Sequence, residues 1–572
     1  MAGSESRIQN PKSKIQNRKG WSTLLEAAAL RPSHDERPAI IYLETGRSPI
    51  VVSRRAFRQA VMQQAAGLRH LGLAARDLVI IAHTQNLESI YAFWGAMVAG
   101  AIPSMFPTLT EKLDPAIYEH SMAELVRLSG VRAILTTDAF AESLGRHVTC
   151  PVYGSTALQT AAGQARGFIP AAPDPSEIAF LQHSSGTTGL QKGVALTHQA
   201  VLNQLASYGR AIALDERDVI VSWLPLYHDM GLIAGFILPL VLGIPLVLMS
   251  PFDWAQHPAL LLRAIHDYQG TLCWLPNFAY NHCARRIRQR DVEGLSAASM
   301  RLFINCSEPV RHDSHELFLS RFASLGVRPE MLGVSYAMAE NTFAVTQTAP
   351  GVPVRLDVVD RLALEQELMA RPVAPDDSQA IVKVSCGRPI AGTAVRVVDD
   401  SGHTLPERRV GEIAIQSDCM LQEYYRRPDL QPFQDGWYRT GDRGYLADGE
   451  LYVVGRSKDL IIHAGKNIYP QDIEAIANEV EGVHAGRVVA FGVLDEREGT
   501  ELIAMVAEVG TDDPDERQRI GRQIRQVVAQ QSQVTVSYVH LVGRKWLIKT
   551  SSGKIARAAN RDKWLAETQR NC

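Results

Sequence analysis

The residues from Leu181 to His198 read LQHSSGTTGLQKGVALTH, with hydroxyl side chains, glycines and one lysine crowded between two apolar runs. Ser184, Ser185, Thr187 and Thr188 offer hydroxyl donors beside backbone N–H groups, Gly186 and Gly189 allow tight turns, and Lys192 adds a mobile cation. Donors at that density suit a polyphosphate, because a nest of N–H groups with an ammonium nearby neutralises adjacent anionic oxygens. The spacing is not GxxxxGK[ST], since Gln191 stands where that loop needs glycine before its lysine. A flexible Ser/Thr/Gly linker is the plain alternative, but a linker has no reason to sit between buried runs and end in Lys-Gly.

Other reactive residue types are scattered. Cys306 in INCSEPV has no adjacent histidine or other base, so a small packed side chain is expected there rather than a nucleophile. His312 and His315 in HDSHE make two possible metal ligands without a third, which points to a solvated helix face. The remaining cysteines are widely spaced and form no CxxC pair, so neither a disulfide framework nor a zinc knuckle is indicated, and a reducing cytoplasm is the expected setting.

These residues need a scaffold, and alternation supplies one. Strand-like runs such as LVIIAHT, RAILTT, VIVSWLPL and GTLCWLPN are separated by helix-like ones, which predicts an α/β fold with helix-covered parallel sheets. The uncharged stretch from Met230 to Phe252 has the length of a membrane span, but Pro239, Gly243 and Pro245 divide it into a buried helix and a short buried strand. Residues 350–384, rich in proline around LDVVDRLALEQELMA, interrupt the pattern as an insertion with a short helix. TAVRVVDD, GEIAIQS and GELYVVG then predict a small antiparallel or barrel-like subdomain.

A boundary falls at GRSKD, so the chain divides into a disordered, basic tail over 1–20, a large domain over 21–456 and a smaller α+β domain over 457–572. At 572 residues more than one core is expected. A formal charge of -2 gives no global attraction for nucleic acid or anionic membrane, so any phosphate binding must be local.

SSGTTGLQKGV resembles the phosphate loop of the adenylate-forming superfamily, which includes acyl-CoA synthetases, luciferases and peptide-synthetase adenylation domains. SYAMAEN (335–341) is similar to that family's YGxxE segment, WYRTGDRG (437–444) to its TGD segment, VGRSKD (454–459) to its hinge and KTSSGKIAR (549–557) to its C-terminal lysine motif. The motifs occur in the family's order over nearly the whole chain. Within the superfamily, WLPLYHDMGL, SKDLIIHAGKNIYPQDIE and the insertion before VSCGRP resemble the fatty acyl-AMP ligases. The chain departs from the pattern at Ala337, where glycine is usual, at Gln191, where proline is common, and in PSMFPTLTEKLD, where a proline-rich stretch is usual.

The resemblance implies a mobile C-terminal domain and a set of roles. The Ser184 to Lys192 loop would hold the β and γ phosphates of ATP, and Glu340 would hold Mg²⁺, a hard ion that takes oxygen ligands. Ser307, Glu308 and Pro309 would line the adenine, with Tyr336 stacked nearby. Asp442 would accept the ribose hydroxyls and Arg456 would support the ribose or phosphate through charge-assisted bonds. Lys554 would meet the α-phosphate and the acyl carboxylate, His228 would close the acyl pocket beside the reacting carboxyl, and Lys458 would be the hinge. The run from Gly231 to Leu242, with Trp223, Phe236 and Phe278, is a candidate wall for a lipid tail that core packing explains equally well. The implied activity is ATP-dependent activation of a carboxylic, fatty acid to acyl-AMP. The acyl group then passes to the phosphopantetheine thiol of a separate acyl carrier protein, or of a polyketide synthase or peptide synthetase. Transfer to coenzyme A is the alternative, and a noncatalytic nucleotide-binding or carrier-docking subunit a third.

Overall fold

The computed structural model describes residues 20–29, 35–109, 115–184, 192–463, 466–495, 500–550 and 554–570. Two large sheets lie in the first three quarters of the chain. One has nine strands in the order 388–389, 344–347, 332–337, 302–306, 272–275, 220–222, 246–249, 38–43 and 50–53, and its middle is parallel. The other has seven, in the order 423–424, 192–197, 178–184, 102–105, 78–81, 133–135 and 152–153. Strands covered on both faces read as continuous apolar runs, and LVII, LVLM and LCWL are buried at every position.

Between the sheets, Phe180 of the second sheet, Phe93 and Trp94 of the Leu87–Val98 helix and Phe236 meet ring to ring at 5.6–6.4 Å. Phe236 belongs to the apolar run that imitates a membrane span. Residues Met230–Ile237 form a wide π-type helix, every residue of it buried, which passes through Leu238–Leu242 to a left-handed Gly243 and the strand Leu246–Met249. Gly231 is required there, since a Cβ would stand 2.1 Å from the Pro225 carbonyl oxygen. Among the described residues, no helix is long and apolar enough to cross a membrane.

The proline-rich stretch pairs Leu356–Asp360 with Ala380–Val384 in antiparallel register, with the short Arg361–Gln366 helix between them, capped by Asp360. The alternating runs that follow build a five-stranded antiparallel sheet. Asp357 fastens the insertion to that sheet, accepting from the Tyr445 hydroxyl at 2.9 Å and from Arg408 at 3.0 Å.

Beyond Arg456, a core of its own gathers Ile461, Ile473, Met505, Ile520 and Ile524. It joins the Pro470–Ala477 helix, opened by proline at its first position, the strands Val483–Asp495, Thr500–Val509 and Tyr538–Val542, and the Pro514–Ser532 helix. The insertion touches this part directly. Asn467 Nδ2 donates to the Glu365 carbonyl at 2.9 Å, Lys383 lies 3.4 Å from Asp472, and Arg361 donates to the Gln531 carbonyl.

Candidate active site

Antiparallel register places Asp442 opposite Arg456 on the strands Trp437–Ala447 and Glu450–Arg456. Gly441 before it has φ 74°, a left-handed turn that favours glycine. Arg456 Nε donates to Asp442 Oδ1 at 3.0 Å, and the Tyr336 hydroxyl donates to Oδ2 at 2.6 Å. The Asp442 charge holds the Arg456 guanidinium above its ordinary pKa. Burial, reinforced by the same carboxylate, pushes the Tyr336 phenol well above its usual value. The result is a buried carboxylate with one donor on each oxygen, leaving lone pairs for further donors.

Glu340 lies in the Ala339–Asn341 turn after the strand Leu332–Ala337, next to Thr342, which is held at φ 62°. Its carboxylate accepts from the Tyr424 hydroxyl at 3.0 Å, that hydroxyl is 3.0 Å from Tyr438 Oη, and the Lys192 ammonium is 5.0 Å from the Tyr424 ring centre. Burial raises the Glu340 carboxyl and the Asp229 charge adds to the rise, against hydrogen bonding from Tyr424 and the Arg456 charge. Glu340 offers carboxylate oxygens, the donor type a hard divalent ion takes, although among the described residues no group of three or more His, Cys, Asp or Glu gathers as a metal site.

The third group comes from distant parts of the chain. His228 Nδ1 is 2.5 Å from Asp229 Oδ1, which also accepts from Met230 N at 2.8 Å. Burial alone would raise the Asp229 carboxyl, but His228 and the Lys554 charge outweigh it and hold it low. Glu308 accepts from Phe278 N at 2.9 Å, and burial pushes its carboxyl up against the opposing charges of Lys554, Lys549 and His228. The Lys554 charge is thus felt at both Asp229 and Glu308. The Lys554 carbonyl accepts from Thr550 N at 2.7 Å, and Lys549 and Ile555 bridge across it. Three residues on, Arg557 reaches Asp459 at 3.2 Å, Glu474 at 2.5 Å and the Ala490 carbonyl at 2.8 Å, tying the lysine segment to the turn after Arg456, the Pro470–Ala477 helix and the strand Val483–Asp495.

Ser307 takes a left-handed φ of 71° where the strand Leu302–Cys306 ends, turning Glu308 and the exposed Pro309 away from the sheet. Strain of that kind gathers at functional sites and costs about 1–3 kcal/mol. Cys306 is buried with its thiol pushed up to about 12, so it is packed and unreactive, as its sequence context predicts. Lys458 lies in the Ser457–Asp459 turn, where burial and then the Arg456 charge push its amine down.

Ser185, Gly186, Thr187, Thr188 and Gly189 lie outside the described residues, as does most of the expected tail. Ser184 and Lys192 pair across the two strands that flank the loop. The expected solvated face at His312 and His315 is corrected for His315. It is buried, 3.0 Å from Asn305 Nδ2 and against Tyr280, because its side of the His312–Phe322 helix faces the sheet. Phe236 is core packing rather than a pocket wall. Sequence reasoning missed Tyr424, Tyr438 and Arg557. QEYYRRP carries no spacing that marks one tyrosine, and Arg557 is one of many basic residues near the C-terminus.

The AMP-binding enzyme family profile matches residues 25–425. A medium-chain fatty acid–[acyl-carrier-protein] ligase of Moorena producens is 30% identical over 580 residues, covering 96% of this chain and 96% of its own. A 4-hydroxyphenylalkanoate adenylyltransferase of Mycobacterium tuberculosis is 31% identical over 523 residues, covering 86% of this chain and 82% of its own. Among solved structures, one from a study of fatty acyl-adenylate ligases of E. coli and L. pneumophila superimposes with a TM-score of 0.87 at 27% identity, over 96% of this chain and 98% of its own.

Proposed function

The chain belongs to the AMP-binding enzyme family, and from that premise we propose that it joins a carboxylic acid to the α-phosphate of ATP and passes the acyl group to a carrier-protein thiol. In the first half-reaction a carboxylate oxygen attacks the α-phosphorus, the bond to the bridging oxygen breaks, and pyrophosphate leaves with that electron pair. Two anions must meet, so the principal task is neutralising and aligning charge. The observation that carries this reading is Asp442 accepting from both Tyr336 and Arg456, with the Arg456 charge felt at Glu340 and the Lys554 charge at Asp229 and Glu308.

On this reading Asp442 accepts the ribose hydroxyls on its remaining lone pairs, and Arg456 orients it through their 3.0 Å hydrogen bond. Ser307, Glu308 and Pro309 border the adenine. Lys554 bridges the α-phosphate and the acyl carboxylate, and His228, steadied by Asp229, closes the acyl side. Glu340 would hold a magnesium ion, which when bound neutralises phosphate charge. The hydroxyl-rich loop ending at Lys192 would hold the phosphates that leave as pyrophosphate. In the second half-reaction the carrier's thiol sulfur attacks the acyl carbon, the carbon–oxygen bond to AMP breaks, the thiol proton is released and AMP departs. Rotation about Lys458 withdraws Lys554 between the two steps.

The relatives that act on carrier proteins and the insertion packed on the C-terminal part support a carrier as acceptor over coenzyme A. The protein incubated with ATP, an acid and either coenzyme A or a phosphopantetheinylated carrier is expected to yield acyl-AMP and acyl-carrier by mass spectrometry. Acyl-CoA at a comparable rate overturns the choice of acceptor, and absence of acyl-AMP with every acid overturns the reaction.

A further inference from the structure

The Lys192 ammonium and the Glu340 carboxylate come from different sheets. Lys192 opens the strand Lys192–Thr197 of the seven-stranded sheet, while Glu340 lies in the Ala339–Asn341 turn between two strands of the nine-stranded one. One side chain touches both. Lys192 Nζ is 5.0 Å from the Tyr424 ring centre, and the Tyr424 hydroxyl donates to Glu340 Oε1 at 3.0 Å. A phenol can serve the two at once, because its negative face attracts a cation while its hydroxyl, in the ring plane, donates to an anion. Tyr424 is 7% exposed, so little water competes for either contact.

Residues 419–425 hold that ring in place from both ends. Glu423 and Tyr424 lie opposite Ala195 and Val194, with Gln422 N donating to the Ala195 carbonyl at 2.9 Å and Tyr425 N to the Gly193 carbonyl at 2.8 Å. At the other end Leu421 N donates to the Glu340 carbonyl at 2.8 Å, and the Cys419 carbonyl accepts from Thr342 Oγ1 at 2.6 Å. Gln182 Nε2, on the strand that enters the hydroxyl-rich loop, donates to the Thr342 carbonyl at 2.9 Å. Thr342 sits at φ 62°, which a β-branched residue keeps only where surrounding contacts over-determine it. Tyr438 Oη is 3.0 Å from the Tyr424 hydroxyl, so with Glu340 accepting, Tyr438 donates and the two phenols form a chain that ends on the carboxylate. Packing accounts for the ring but not for that chain.

We infer that Tyr424 is a positioning residue for the phosphate end of the nucleotide, its ring seating the Lys192 ammonium and its hydroxyl orienting the Glu340 carboxylate so that the two opposite charges keep a fixed separation. The inference rests on the adenylation reading and adds a residue to it. Tyr424→Phe removes the hydroxyl and keeps the ring, whereas Tyr424→Leu removes both. The full chain and each variant are checked for folding by thermal unfolding. ATP affinity is then measured by calorimetric titration in EDTA, and the Mn²⁺ affinity of the ATP complex by electron paramagnetic resonance with no acid present. Tyr424→Phe is expected to lower Mn²⁺ affinity by about tenfold, the scale of a hydrogen bond to a charged group, with the affinity for metal-free ATP unchanged. Tyr424→Leu is expected to lower both, ATP affinity by about threefold or more through the lost cation–π contact. Unchanged Mn²⁺ affinity in Tyr424→Phe, or an equal loss of both affinities there, overturns the proposal and leaves adenylation standing. That variant decides by itself if Tyr424→Leu does not fold. Unchanged ATP affinity in a folded Tyr424→Leu overturns the proposal as well. An unaltered protein that binds no ATP with or without Mn²⁺ overturns the adenylation reading and this inference with it.

Discussion

The Tyr336–Asp442–Arg456 group and the lysine-bearing segment are put in place by different means. Asp442 and Arg456 are partners by strand register, 14 residues apart across one hairpin, so their contact forms whenever those two strands pair. Lys554 has no such guarantee. It depends on Arg557 reaching Asp459 and Glu474 and on the insertion touching the C-terminal part through Arg361, Lys383 and Glu365. One half is built locally and the other is assembled over long sequence separations, through charged contacts whose strength depends on both partners staying paired. That division suits the proposed reaction, in which the nucleotide stays while Lys554 is withdrawn.

The largest expected effect is on the assembled half. Arg557→Ala leaves Asp459 and Glu474 largely buried without their cation, a loss of about 3–5 kcal/mol. The C-terminal part is expected to unfold at markedly lower temperature while the sheets retain their transition, measured by calorimetry and by hydrogen exchange over 459–490. A single unshifted transition would break the comparison. Lys554→Ala removes the cation without removing an anchor. Adenylate formation is expected to fall by about 10²–10³-fold with thermal stability unchanged, and near-normal pyrophosphate release would remove Lys554 from the reaction.

In the built half, Asp442→Asn keeps shape and loses charge. Hydrogen bonds to a charged group contribute about 1.5–3 kcal/mol, so the KM for ATP is expected to rise by about tenfold to a hundredfold, with kcat less affected. Equal loss in kcat would place Asp442 at the transition state instead. The smallest effect lies at the seam. Burial raises the Glu365 carboxyl from 4.5 to about 7, with Asp472 adding to the rise and Arg361, Lys383 and Lys466 opposing it. The folded protein thus holds that proton more tightly than the unfolded chain, so this contribution is complete below pH 4.5 and declines as pH climbs toward 7. Glu365→Gln is expected to flatten the corresponding part of the profile of melting temperature against pH, and an unaltered slope would sever Glu365 from the seam.

Much of the site is legible in residue order. TGD and GRSKD mark Asp442 and Arg456 through their resemblance to the family's segments, and strand register then brings the two side chains together. Glu340 stands out because a carboxylate among Met338, Ala339 and Phe343 must be satisfied by something. His315 was misplaced for a related reason. HDSHE looks polar, yet only helical rotation decides that His315 faces Asn305 and Tyr280 while Asp313 faces outward, and five residues are too few to show that period. Tyr424 illustrates a limit of another kind. Its strand joins the second sheet beside Lys192, more than 200 residues earlier, so no local pattern announces that its hydroxyl meets Glu340.

The chain's own order determined that buried parallel sheets would form, that the proline-broken apolar run would stay inside, and that anion-binding donors would cluster before Lys192. Apolar periodicity and turn residues act over short distances, so they can be read without coordinates. Only the tertiary structure decided that Trp223 would stack on Trp254, that Tyr424 would meet Glu340, and that Arg557 would tie the Lys554 segment to Asp459 and Glu474. Those contacts join segments whose approach is fixed by the packing of whole elements rather than by any local sequence preference.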